Sequence, residues 1–256
     1  MDNNVSVWFD NNDLSSITGL IINDHDFNQL PEKDIKISKI ARDDVSIITS
    51  VDYVSKDIVV NGIVMQCDRY EAESIMNTLK SFIQLPNKIL KVAQYDTIVE
   101  YTATLKSISN RWFGNRLIFE IVFLASDPIG RDIESSYIES TVITTGSDSI
   151  PFIVGGSYKA KPVISMTVTS VTDGIGASVS LSNTTTNQTI TITRDWLADD
   201  LLVIDNELKT VRCNGAFIDY SGSFLTFYPG VRALGYADTF TARSVTVSGE
   251  YNNKYV

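Results

Sequence analysis

The chain has 256 residues, 43% of them hydrophobic and 20% charged, which supplies one large core or two of ordinary size and excludes a disordered or collagen-like polymer. Its net charge is −10, with 13 basic against 20 acidic residues up to residue 135 and 8 against 11 beyond it. Neither half offers the basic footprint that phosphate-backbone binding requires, whereas an acidic wall past which DNA slides without sticking is compatible with this balance.

The opening residues, MDNNVSVWFDNND, carry acids and amides where a signal peptide needs a basic and then an apolar stretch, so no cleaved leader is expected. No apolar run approaches the roughly 18 residues of a membrane-spanning helix, and no membrane association is expected. Between Ile35 and Ala125 the segments DIKISKI, VSIITSVDYV, DIVVNGIVMQC, TIVEYTATLKSIS and NRLIFEIVFLAS read as strands, being short, β-branched and alternating. One helix interrupts them. Ala72, Ile75, Met76, Leu79, Phe82 and Ile83 follow the three-and-four spacing of an apolar stripe, Asp68 followed by Glu71 resembles a capping box, and Leu85-Pro86-Asn87 supplies the stop.

Thr97 to Ser109 and Asn115 to Ser126 flank the link RWFG, and Gly114-Asn115 suits a tight turn, so a long β-hairpin is expected there. Its tip carries Arg111, Trp112 and Phe113, residue types enriched at protein–protein contacts, although both rings could instead fold back onto the domain core. After Asp127-Pro128-Ile129-Gly130 charge thins out, Ser, Thr and Gly become frequent, and no helical stripe recurs, which places a domain boundary at residues 127 to 137. The segments KPVISMTVTSV, ASVSLSN, QTITITRD, DLLVIDN, LKTVRCN, SFLTFYP and DTFTARSVTVSGEY read as strands of a β-sandwich, with Asp205-Asn206 and Asn214-Gly215 as turns.

Residues that could do chemistry are few. The single histidine, His25, lies in the polar stretch Asn23-Asp24-His25-Asp26, reads as a solvated loop residue, and has no nucleophile motif to go with it. Cys67 and Cys213 read as buried free thiols suited to a reducing compartment. One histidine and two distant cysteines do not make a zinc site. The acid pairs Asp43-Asp44 and Asp199-Asp200 read as turn or strand-edge acids, since neighbours on a strand face opposite ways. Gly155-Gly156 and Gly174-Ile175-Gly176 mark turns rather than a phosphate or dinucleotide cradle. Trp196, Tyr220 and Tyr228 could form a sugar-stacking platform, or could fill and rim the sandwich. No cofactor, metal or enzymatic activity is expected.

The order of IKISKIARDDVSIITSVDYVSKDIVVNGIV, the capped helix and a hairpin closing on FEIVFLASDPIGRD resembles the distal tail protein family, Dit, of long-tailed, non-contractile bacteriophages. Phe123-Leu124-Ala125-Ser126-Asp127-Pro128 resembles the family's domain-ending F-x-C/A-x-D-P strand. DDLLVIDNELKTVRCNGAFIDYSGSFLTFYPG resembles its pattern of a strand ending in I-D, a turn, V-x-x-N-G and an aromatic-rich stretch reaching P-G. The likeness spans residues 14 to 248. Arg42-Asp43-Asp44 lacks the Gly that often follows Arg-Asp in the family, and Ala125 stands where many members have Cys.

That resemblance implies a mostly β fold: an N-terminal ring-forming belt domain at 1–133, with one helix and a long β-hairpin, and a C-terminal galectin-like β-sandwich at 134–256. It implies a homo-hexamer ring at the phage tail tip, assembled in the bacterial host cytoplasm and carried in the virion. The ring would join the tail tube protein to the hub or tail-associated lysin, sometimes with receptor-binding proteins outside, and DNA would pass through its channel without specific binding. Arg111, Trp112 and Phe113 are then the expected subunit contact. The alternative is a carbohydrate-binding baseplate or receptor-binding module that recognises the host cell wall.

Overall fold

The computed structural model describes residues 5–26, 29–39, 46–65, 68–94 and 97–256. They fall into two compact units, one running to Ile133 and including Tyr255–Val256, the other Glu134–Lys254.

The first unit holds β1 (Val5–Phe9), β2 (Asn12–Asp13), β3 (Leu20–Asp26), β4 (Lys33–Lys39), β5 (Ser46–Tyr53), β6 (Lys56–Val64), α1 (Arg69–Ile83), β7 (Lys88–Gln94), β8 (Thr97–Phe113), β9 (Arg116–Ala125) and the start of β10 (Gly130–Ile143). Antiparallel pairing runs in the order β3, β6, β9, β8, β7, β1, β2. Alternation in β6 and β9 turns Ile58, Val60, Val64, Leu117, Phe119, Ile121 and Phe123 into one buried cluster. Phe9 stacks on Phe123 with ring centroids 5.1 Å apart.

Helix α1 closes this core. Asp68 caps it by accepting the Glu71 N–H at 2.8 Å, a contact worth ~1 kcal/mol. The stripe Ala72, Met76, Leu79 and Ile83 is buried, and each large side chain of this kind contributes about 1.5–3 kcal/mol. The helix stops at Ile83, ahead of Pro86 and of Asn87 at φ 53°.

The sequence left residues before Ile35 unassigned, yet β1, β2 and β3 lie there. His25 is a correction of substance: it is a buried strand residue and its Nε2 donates to the Ala93 carbonyl at 3.0 Å. The cause is a register shift between Ile22 and Asp24. Leu20 and Ile22 face the core, and the extra residue Asn23 turns His25, rather than Asp24, inward.

The second unit continues β10 and adds β11 (Ser147–Val154), β12 (Val163–Thr172), β13 (Ala177–Asn183), β14 (Gln188–Arg194), β15 (Leu201–Asp205), β16 (Thr210–Cys213), β17 (Ala216–Phe217), β18 (Ser221–Gly222), β19 (Gly230–Asp238) and β20 (Ala242–Tyr255). One sheet contains β17, β16, β15, β12, β20 and β10 in that order, the other β11, β19, β13, β14 and β18. Ile164, Met166, Leu202, Ile204, Val245 and Val247 of the first meet Phe152, Val179, Leu181, Ile190, Ile192 and Leu234 of the second in one core. This is a two-sheet sandwich.

Asn214 and Gly215 both take positive φ, 51° and 81°, in the turn between β16 and β17. The segment SFLTFYP, expected as a strand, forms none beyond a single bridge between Ala160 and Phe227. Leu225 and Phe227 are nevertheless buried, because Asn206 pins the segment from its own turn. Its Oδ1 accepts the Leu225 N–H at 2.7 Å while its Nδ2 donates to the Pro162 carbonyl at 2.6 Å.

Candidate assembly surfaces

In the first unit β8 pairs with β7 from Thr97 to Ala103, and from Ala103 onward with β9. Its register with β9 continues through Phe113, opposite Arg116, so the expected RWFG link is strand up to Phe113 and the turn is Gly114-Asn115. Of the two turn residues only Gly114 has positive φ, 61°, the pattern of a type II′ hairpin.

The predicted contact residues do sit at the hairpin's distal end, but on two faces. Trp112 is opposite Leu117, whose side chain is buried, and lines a cleft of about 350 Å³ with Ala72 and Met76 of α1. Arg111 and Phe113 lie on the other face, and Phe113 is 70% exposed against 37% for Trp112. Strand alternation causes the split. Trp112 thus leans toward the core while Phe113 is left for solvent or a partner.

A second surface was not singled out from the sequence. β4 and β5 pair only with each other, as a two-stranded sheet of their own among the described residues. The register shifts between Lys36 and Ile37, Thr49 being the extra residue, with its hydroxyl donating to the Lys36 carbonyl at 3.0 Å. That bulge sets Ile48 directly opposite Ile37, on the face that also carries Ile35. These three isoleucines are 49%, 62% and 63% exposed at positions 35, 37 and 48, and none joins the buried cluster. A two-stranded hairpin on its own is at best marginally stable in water. Exposed aliphatic stripes of this kind are typical of surfaces that pair with another chain. The signal was present as the Ile-x-Ile alternation of β4, read only as a strand.

The residues considered for chemistry are dispersed. Asp200 is buried, accepting the Leu197 N–H at 2.9 Å and the Asn214 side-chain amide at 2.7 Å, with Arg194 3.7 Å away. Asp199 sits in the preceding turn at φ 68°. Trp196 is buried with its indole N–H on the Ala177 carbonyl at 3.0 Å, so it offers no face for stacking a sugar, while Tyr220 and Tyr228 are exposed. Cys213 is a buried free thiol, and burial pushes its pKa up. Cys67 and the Arg42-Asp43-Asp44 stretch lie outside the described residues. Among the described residues, no three His, Cys, Asp or Glu side chains converge on a metal-sized point, and no helix is long and apolar enough to cross a membrane.

Residues 155–255 match the family described as siphovirus-type tail component, C-terminal domain. Over 98% of this chain and 99% of the other, the fold is that of the Dit protein of phage SPP1, at 14% identity and a TM-score of 0.68. A chain of the phage P2 baseplate in its activated conformation aligns at 9% identity and a TM-score of 0.38, too distant to bear on the fold. No curated protein matches in sequence. Residues 155–255 are thus similar to the C-terminal domain of siphovirus-type tail components, and the chain as a whole shares the fold of the SPP1 protein.

Proposed function

We propose that this chain is the distal tail protein of a long-tailed phage, and that six copies close into a ring at the tail tip, around the channel through which the genome leaves. The observation that carries this reading is the β4–β5 hairpin, whose aliphatic face is left exposed among the described residues. A closed ring is built from heterologous contacts, in which one surface of each copy meets a different surface of the next. Burying the exposed parts of Ile35, Ile37 and Ile48 at such a contact contributes roughly 1–2 kcal/mol each. Phe113 and Arg111 at the end of the β8–β9 hairpin form a second contact.

The SPP1 protein is described as a paradigm of the hub adsorption apparatus in phages infecting Gram-positive hosts. By that likeness the ring joins the tail tube to the hub or tail-associated lysin and offers attachment to receptor-binding proteins. The part played is structural rather than enzymatic. A net charge of −10 suits a conduit that DNA traverses without binding. The test is native mass spectrometry of the chain and of a triple variant with Ser at positions 35, 37 and 48. The parent forms rings and the variant stays monomeric with its thermal midpoint unchanged; rings in the variant place the contact elsewhere.

A further inference from the structure

In the second unit, Ile164, Met166, Ile138, Val245, Val247 and Tyr251 fill the interior, so the residues between them on β10, β12 and β20 stand on the opposite, outer face. There Tyr137 and Glu139 of β10, Val163 and Ser165 of β12, and Ser248 and Glu250 of β20 line a trough of about 460 Å³. That volume falls within the roughly 300–1,000 Å³ typical of small-ligand sites. Register puts Ser165 directly opposite Ser248 and Val163 opposite Glu250, so short side chains floor the trough where the two strands meet. Tyr137 is 62% exposed beside it. On the inner side of the same strand Gly249 leaves room for Ile138, whose Cδ1 would lie 2.9 Å from a Cβ there.

The chemistry of this lining selects its occupant. One exposed ring offers a flat apolar face, two serines offer donors and acceptors, and two carboxylates accept strongly from hydroxyl or ammonium groups. Neither Glu139 nor Glu250 has an ion-pair partner among the described residues. Two such carboxylates repel phosphate, uronate and nucleic acid. A protein partner would require several large desolvated anchors, whereas this trough offers one aromatic ring and the half-buried Val163. We infer that the outer face of β10, β12 and β20 binds an oligosaccharide carrying neither phosphate nor carboxylate, with Tyr137 stacking on a sugar ring and Glu139 and Glu250 accepting its hydroxyl or amino protons. This site is separate from the aromatic trio Trp196, Tyr220 and Tyr228, and it does not depend on ring formation. In a ring each copy would present one trough, so weak single-site binding would be multiplied on a wall surface.

The full chain is titrated calorimetrically with oligomers of β-linked glucose, of N-acetylglucosamine and of glucosamine, and with a glycerol-phosphate polymer as the anionic arm. Saturable binding of at least one uncharged or amino-bearing oligomer is expected, with none of the polyphosphate. Tyr137→Ala and the double change Glu139→Gln with Glu250→Gln each weaken it tenfold or more, and Ser165→Gln, which fills the floor, abolishes it. Far-ultraviolet dichroism and oligomer mass, measured on the same samples, separate loss of this site from loss of fold or ring. No binding of any oligomer at millimolar concentration, binding that survives Tyr137→Ala and Ser165→Gln, or preference for the polyphosphate overturns the assignment.

Discussion

The Lys56 ammonium lies 5.4 Å from the centroid of the Tyr101 ring inside the first unit, and among the described residues neither Lys56 Nζ nor the Tyr101 hydroxyl has a hydrogen-bond partner. Burial lowers the Lys56 pKa to about 8, against a smaller upward pull from Asp26, and burial raises that of Tyr101. The lysine's pKa is therefore lower in the folded chain than in the unfolded one, so holding the charge inside opposes folding below about pH 8. The opposition fades as pH climbs from there toward the ordinary lysine value, until tyrosine ionisation in the unfolded chain favours unfolding above roughly pH 10.

Replacement of Lys56 by Met is accordingly expected to stabilise the protein at pH 7 by ~1–3 kcal/mol, since a buried unpaired charge gives way to an apolar side chain of similar length. Denaturant titrations at pH 7, 8, 9 and 10 provide the check. The parent gains stability between pH 8 and 10, and the Met variant lacks that gain. A variant less stable than the parent at every pH would mean the charge is satisfied.

Gly62 stands directly opposite Phe119 in the β6–β9 ladder, and a Cβ on it would run into the Phe119 ring and the Ile21 carbonyl. Gly62→Ala is expected to cost about 1–3 kcal/mol, because the ring that covers the glycine has to move within a packed core. Thermal unfolding followed by circular dichroism reads the loss directly, and an unchanged midpoint would show that Phe119 has room to turn.

Asp200 holds together two turns of the second unit through its contacts with Leu197, Asn214 and Arg194. Asp200→Ala removes the acceptor of two partly buried hydrogen bonds, from the Leu197 N–H and the Asn214 amide, and the expected cost is ~1–3 kcal/mol. Asn214→Ala removes two bonds, its amide on Asp200 and its Oδ1 on the Leu201 N–H, and sets an alanine at φ 51°, so it too should cost ~1–3 kcal/mol. An unchanged thermal midpoint in either variant would contradict this account.

How far the sequence could be read depended on whether a pattern was local. The cap at Asp68 and the stripe from Ala72 to Ile83 are set by neighbours within one helix, so their spacing alone predicted α1. The turn at Gly114 was equally local. His25 was misread because a single extra residue, Asn23, reverses which side chains face inward, and such a bulge is specified by the partner strand β6. The same holds for Thr49, whose bulge sets Ile48 on the face of Ile35 and Ile37. Arg111, Trp112 and Phe113 were expected as one patch on a loop; continued pairing with β9 makes them strand residues and divides them.

That division yields a prediction of its own. Trp112→Ser opens the cleft beside Met76 and is expected to lower stability by about 1 kcal/mol or more, whereas Phe113→Ser stays within ~0.5 kcal/mol of the parent. Ring assembly should respond to Phe113→Ser, and to Trp112→Ser only as far as the fold is loosened. Midpoints and oligomer masses measured on both variants decide it, and a Trp112→Ser variant that keeps its stability but loses the ring would reverse the roles.

The central claim is that copies of this chain close on themselves through faces that each copy leaves uncovered. Native mass spectrometry of the full chain over a rising concentration series tests it most directly. The account predicts a species of six times the chain mass, with sixfold symmetry when imaged by electron microscopy. A strictly monomeric chain at the highest concentration reached, with the β4–β5 isoleucines still open to solvent labelling, would contradict it.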